Sequence, residues 1–246
     1  MDPLSPAWWQ MLPILAPPLL LSLTLHEFAH ARAALAFGDR TALNAGRVTL
    51  NPLAHLDPIG TAMIFIVGFG WAKPVPVMDS NLHPRRLGEI VVSVAGVGAN
   101  FALAICCGLG LMIFMRVLGP SEYTDVFVAW VGRETDSTFL ALTGTSGMVF
   151  LMLLHALGVN VLLGIFNLVP LFPLDGHHVV RELLPYNAAR NFMAWQMRFG
   201  RVLLLALIIG PRILSQLTGR YVPGPISYVY MYAQRFAFDL FSLIPG

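Results

Sequence analysis

From Trp8 to Phe37 the chain is apolar almost without interruption, and no Asp, Glu, Lys or Arg separates Asp2 from Glu27. Such a run exceeds the about 20 residues needed to cross the hydrocarbon core of a bilayer. It predicts a first membrane helix whose start is kinked or delayed by Pro13, Pro17 and Pro18, with Trp8 and Trp9 suited to the interface. Arg32, Arg40 and Arg47 follow, the latter two in a segment with Gly38, Asp39, Asn44 and Gly46 that reads as a loop or short strand. Asn51 to Gly60 is rich in turn residues, and Thr61 to Phe69 is apolar but too short for a full crossing. Gly68, Gly70, Lys73, Pro74 and Pro76 then break any helix, while Val75 and Val77 alternate as in a strand. Residues 59 to 78 are therefore expected to form a re-entrant or hairpin element. Irregular backbone at membrane depth survives only where protein or a water-filled cavity covers it, so this element should line a site.

Ile90 to Met115 predicts a second span, in which Gly96, Gly98, Ala99, Gly108 and Gly110 permit close helix packing. Arg116 to Asp136 reads as a polar connection. The absence of Lys, Arg, Asp and Glu between Asp136 and Asp175 predicts a third span from Gly147 to Leu168, ending at Pro170 and Pro173. A weaker span follows from Val202 to Leu217, interrupted by Pro211 and Arg212. The last apolar stretch, Ile226 to Ile244, carries Arg235 and Asp239 four apart and suits either a membrane element or an interfacial amphipathic helix. The expected fold is an all-α polytopic membrane protein, with about five to six membrane helices and a small re-entrant or β-hairpin element after the first. The whole chain, 1–246, is expected to be a single membrane-embedded domain with no internal repeat.

Composition agrees: 57% of the residues are hydrophobic and 11% are charged, against about 25% charged in an ordinary soluble domain. The net charge of +2 is too small to suggest a nucleic-acid partner, no block of basic residues offers a polyanion a site, and the lipid bilayer is the expected surrounding medium. No basic segment precedes the first apolar run, so that run is expected to remain as a span. Adjacent Cys106 and Cys107 read as small packing residues.

Within the first span lies His26-Glu27-Phe28-Ala29-His30. Helical residues four apart share a face, so His26 and His30 can aim two imidazoles at one metal ion with Glu27 beside them. The alternative is a chance pentad on a helix surface, but ionisable groups near hydrocarbon are costly and point to function. A carboxylate at Asp175, in Asn167-Leu-Val-Pro-Leu-Phe-Pro-Leu-Asp175-Gly176, could complete a two-histidine, one-carboxylate site that leaves a fourth position for water. Alternatively Asp175 is a solvated loop residue.

Basic residues in short loops mark the cytoplasmic side. Six Lys or Arg residues lie between the pentad and Ile90, two between Arg116 and Asp136, and four between Asp175 and Val202. If residues 59–70 are re-entrant, the first and third spans run in the same direction, and His26, His30 and Asp175 meet at one depth near the cytoplasmic face.

The two motifs together resemble the site-2 protease family of intramembrane zinc metalloproteases, HEFAH matching its HExxH and NLVPLFPLDG its NxxPxxPxDG pattern. NPLAHLDPIG and GFGWAKPVPV look like the loop and hairpin of the compact bacterial and archaeal branch that carries no PDZ domain. The resemblance covers about residues 20 to 180. It implies a catalytic core at 8–180 followed by additional membrane helices at 190–246, a prokaryotic cell membrane location, and hydrolysis of transmembrane or membrane-associated protein substrates. By this resemblance His26, His30 and Asp175 are ligands of one Zn2+ per chain, Glu27 is the general base, and Asn167 hydrogen-bonds a substrate carbonyl or the developing oxyanion. The chain departs from commoner family forms at Met78-Asp79 and at Gly96-Val97-Gly98.

Residues Gly68, Gly70, Val75 and Val77 are expected to hold an unwound substrate by edge-strand pairing. His177 and His178 are candidate alternative ligands or partners of ligands, His55 and Asp57 candidate turn braces, His155 a packed core histidine and His83 a loop residue. The rival class is a non-catalytic membrane protein that binds or transports a metal. Glu27 counts against it, since a carrier needs no base beside its ligands, as does the absence of an inverted repeat.

Overall fold

The computed structural model describes residues 6–67, 70–118 and 137–242. Its helices are α1 Pro6–Ala36, α2 Thr41–Asn44, α3 Pro58–Val67, α4 Arg85–Leu118, α5 Ser137–Asn167, α6 Gly176–Leu183, α7 Tyr186–Trp195, α8 Arg201–Thr218 and α9 Pro225–Ser242. A π-helical turn at Gln196–Gly200 joins α7 to α8. Among the described residues four stretches are long and apolar enough to cross a membrane: Met11–Ala36, Arg85–Val117, Gly144–Asn167 and Tyr186–Thr218. The other two apolar helices behind the expectation of five to six are α3, with 10 residues, and α9, with 18.

The protein is all-α, and its surface is that of a membrane protein. On α4, Ile105, Leu109, Ile113 and Val117 recur every turn and are 65%, 53%, 66% and 75% exposed, a continuous apolar stripe that lipid solvates and water does not.

The first three spans pack against one another. Their contact is divided along its length. Toward one end Met11 and Ile14 of α1 bury against Cys107 and Leu111 of α4 and Phe150, Leu151 and Leu154 of α5. Toward the other end the buried groups are polar: Ser22, His26, His30, Asn100 and Asn160. This order places α1 and α5 parallel and α4 antiparallel, the arrangement expected if residues 59–70 do not cross.

The connection from α1 to α4 differs from a β-hairpin. Residues 58–67 are taken by α3, whose first turn Asp57 caps by accepting the Gly60 N–H at 2.7 Å. Only one antiparallel bridge, Leu56 with Ala72, and one bond, Lys73 N–H to His55 O at 2.8 Å, remain of strand pairing among the described residues. Pro74 and Pro76 lack the N–H groups a ladder needs. Gly68 and most of the expected polar connection Arg116–Asp136 lie outside the described residues.

Candidate metal centre

The HExxH turn of α1 stacks His26 and His30 on one face, with their Nε2 atoms 3.0 Å apart. Each ring is fixed through its other nitrogen. His26 Nδ1 lies 2.6 Å from Asn100 Oδ1, and His30 Nδ1 lies 2.7 Å from Val92 O. Carbonyl oxygens only accept, so both protons sit on Nδ1 and both Nε2 lone pairs face inward. The close approach of α4 depends on Gly96. A Cβ there would stand 2.7 Å from Cε1 of both His26 and His30.

Asp175 arrives from α5 by a tight loop. Its hinge is Gly176, where a Cβ would lie 2.6 Å from Leu168 C and 2.7 Å from Val169 O. Gln196, fully buried in the π-helical turn, clamps the loop from outside: Phe172 N–H donates to its Oε1 at 2.9 Å and its Nε2 donates to Pro170 O at 2.5 Å. The result sets Asp175 Oδ2 at 3.3 Å from the Nε2 of both His26 and His30. This buried oxygen receives no hydrogen bond.

Two imidazole lone pairs and a carboxylate oxygen thus converge, which only a positive charge stabilises. A single proton bridges two of them, whereas a metal ion binds all three. Zinc bonds of about 2.0–2.2 Å place neighbouring tetrahedral ligands about 3.3–3.6 Å apart; the two spacings to Asp175, 3.3 Å each, match that triangle, and the 3.0 Å between the imidazoles is slightly closer. His26, His30 and Asp175 are also the one such group of potential ligands among the described residues.

Glu27 stands beside the ligands at the edge of a cavity of about 490 Å³, lined also by Asn167, Gly70, Val75 and Val77. Val75 N–H donates to Glu27 Oε2 at 3.0 Å. Asn167 donates its amide to Leu163 O at 3.0 Å, which secures the last turn of α5. The segment carrying Gly70, Val75 and Val77 is pinned at both ends. Arg47 donates to Lys73 O near one end, and at the other Asp39 accepts Met78 N–H at 2.8 Å. Asp39 also accepts from Asn81 Nδ2 at 3.1 Å and from the Thr41 N–H and hydroxyl at 3.0 and 2.5 Å. Its burial raises the carboxyl pKa, and these donors overcome that and lower it.

His177 and His178 stand outside the ligand group. His177 donates from Nδ1 to Leu174 O and packs edge-on against Phe172, with ring centroids 5.2 Å apart. His178 Nδ1 lies 3.2 Å from Glu89 Oε1. Burial lowers the pKa of both rings. Arg181 of α6 pairs with buried Glu89 of α4 and, at 3.0 Å, with Asp79, tying the helix that follows Asp175 to the second span. His55 braces its turn through Nε2 and Thr49 O at 2.9 Å. His155 bonds the Tyr230 hydroxyl at 2.7 Å, and His83 is exposed in a loop. Sequence reasoning passed over Ser22, Asn100, Asn160 and Gln196. The available signal for Asn100 and Asn160 was an amide within an otherwise apolar span.

A bundle of membrane helices that converges two histidines and a carboxylate beside a glutamate defines a membrane metallohydrolase. Residues 14–207 match Peptidase family M50, and the chain belongs to that family. It is similar to "Putative zinc metalloprotease YwhC" of Bacillus subtilis (strain 168), 36% identical over 216 residues that cover 88% of this chain and 86% of that protein. It also resembles "Putative zinc metalloprotease Rip2" of Mycolicibacterium smegmatis, 29% identical over 199 residues, 79% of this chain and 66% of the relative. Rip2 of Mycobacterium tuberculosis (strain ATCC 25618 / H37Rv) is likewise 29% identical, over 198 residues. No solved structure matches the chain. The protein is a zinc metalloprotease of the site-2 protease type, with Zn2+ as its cofactor.

Proposed function

We propose that this protein hydrolyses peptide bonds of transmembrane or membrane-associated protein substrates, at a zinc ion held by His26, His30 and Asp175. The observation that carries the reading is the inward convergence of three metal-competent lone pairs beside Glu27, at the polar end of three mutually packed spans. A zinc ion held by these three residues would supply Lewis acidity, activating a water for attack and polarising a carbonyl. Glu27 accepts the proton of the attacking water and returns it to the leaving amine. Asn167, which lines the cavity, would donate its remaining amide hydrogen to the substrate carbonyl or the developing oxyanion.

A helical substrate hides its carbonyls in intrahelical bonds, so it must unwind before attack. Gly70, Val75 and Val77 line the cavity beside Glu27 and suit an extended chain laid against them. The preponderance of basic residues in the connections flanking the site supports a position near the cytoplasmic face of a prokaryotic cell membrane. Reconstitution of the full chain in vesicles with a single-span membrane protein tests the reading. Cleavage that is lost on zinc removal, restored by zinc, and absent in Asp175→Ala supports it. Undiminished cleavage in Asp175→Ala, or zinc moving across the vesicle wall without proteolysis, contradicts it.

A further inference from the structure

Resting on the reading that His26 is a zinc ligand, we propose that Asn100 and Asn160 are positioning residues for the metal: a one-way hydrogen-bond chain through three spans holds His26 in the tautomer that binds it. An asparagine side chain presents either an acceptor or a donor to a neighbour, depending on how its amide is turned. Asn100 accepts from His26 Nδ1 at 2.6 Å because its Nδ2 is used elsewhere, donating to Asn160 Oδ1 at 2.8 Å and, at the longer distance of 3.4 Å, to Ser22 O. Asn160 is oriented in the same manner. Its Nδ2 donates to Ser22 Oγ at 2.7 Å and to Ala156 O at 2.8 Å. Ser22, one turn before His26 on α1, donates its own hydroxyl proton to Pro18 O at 2.7 Å.

Ser22, Asn100 and Asn160 are all fully buried, so no water can replace a missing partner cheaply. The chain ends on backbone carbonyls, which accept and never donate, and every link therefore has one direction. Were Asn100 turned over, its Nδ2 would donate to His26 Nδ1, the ring proton would move to Nε2, and the lone pair needed by the metal would vanish. Asn160, one link removed from His26, opposes that by offering Asn100 its shorter acceptor, with Ser22 O as the longer one. Partners of this kind fix ring orientation and ligand basicity at metal sites.

Zinc affinity of the purified full chain, measured in detergent by competition with a chelator, separates this role from packing. Asn100→Asp keeps an acceptor for His26 and should bind zinc as tightly as the parent or tighter. Asn100→Leu fills similar space without an acceptor and should bind about 10–100-fold more weakly. If Asn100→Leu does not fold, the same pair at position 160 applies. Asn160→Asp keeps the acceptor for Asn100 and should hold zinc, while Asn160→Leu should lose about tenfold. Equal affinities for the Asp and Leu variants at both positions overturn the proposal while leaving the zinc site intact. Full zinc retention by His26→Ala removes the ligand assignment itself, and the proposal with it.

Discussion

Val75 and Glu27, 48 residues apart in sequence, are joined by a hydrogen bond of 3.0 Å from the backbone N–H of one to Oε2 of the other. Pro74 and Pro76 have no N–H, so of residues 74 to 76 Val75 alone offers a donor. A substrate carbonyl that takes this donor from Glu27 would bring its peptide alongside the ligands and free the carboxylate to act on water. Val75→Pro should therefore raise KM by about tenfold, the equivalent of one hydrogen bond of about 1.4 kcal/mol, without altering zinc content. Steady-state cleavage with parallel metal analysis checks this, and an unchanged KM contradicts it.

Gly96 is the point at which α4 touches both imidazoles. A side chain at this position has no space that is not already filled by His26 and His30. Gly96→Val should displace one ligand and lower zinc occupancy in purified protein at least about tenfold, with helix content by circular dichroism unchanged. Normal zinc affinity in this variant would place the rings elsewhere than described.

The Asp39 carboxylate ties the loop after α1 to Met78 and Asn81, and its pKa is lowered in the folded protein. A carboxylate with a lowered folded pKa contributes stability that is present above its unfolded value of about 3.9 and lost as pH falls through the folded pKa. Asp39→Asn, which turns a donor toward an existing donor, should lower Tm at neutral pH, and the difference from the parent should narrow below about pH 4. Thermal unfolding in detergent across that range measures it. A constant difference at all pH values would assign the loss to packing instead.

The parts of the site that were legible in the sequence are those that depend on local geometry. His26 and His30 share a helical face by spacing alone, and Asp175 was matched to them by the motif that carries it and by a distribution of basic residues that favours parallel first and third spans. Span positions were legible because burial in lipid demands long apolar runs, and α1, α4 and α5 cover the stretches so read. The partners of Asn100, Asn160 and Gln196 were not legible. A helix that is apolar all round gives no sign of which face meets which neighbour, so rotation about the helix axis cannot be read from the pattern. The strand reading of Val75 and Val77 rested on alternation. Alternation does not supply a pairing partner, and the two prolines remove donors that a partner would need.

The measurement that bears most directly on the central claim is Glu27→Gln in the reconstituted full chain, with zinc content and cleavage of a membrane-spanning substrate followed together. The substituted amide retains an oxygen for Val75 N–H but cannot take a proton from water. One zinc per chain is expected, with cleavage reduced by about 10²–10⁴-fold. Cleavage at the parental rate with zinc retained would remove Glu27 from the chemistry.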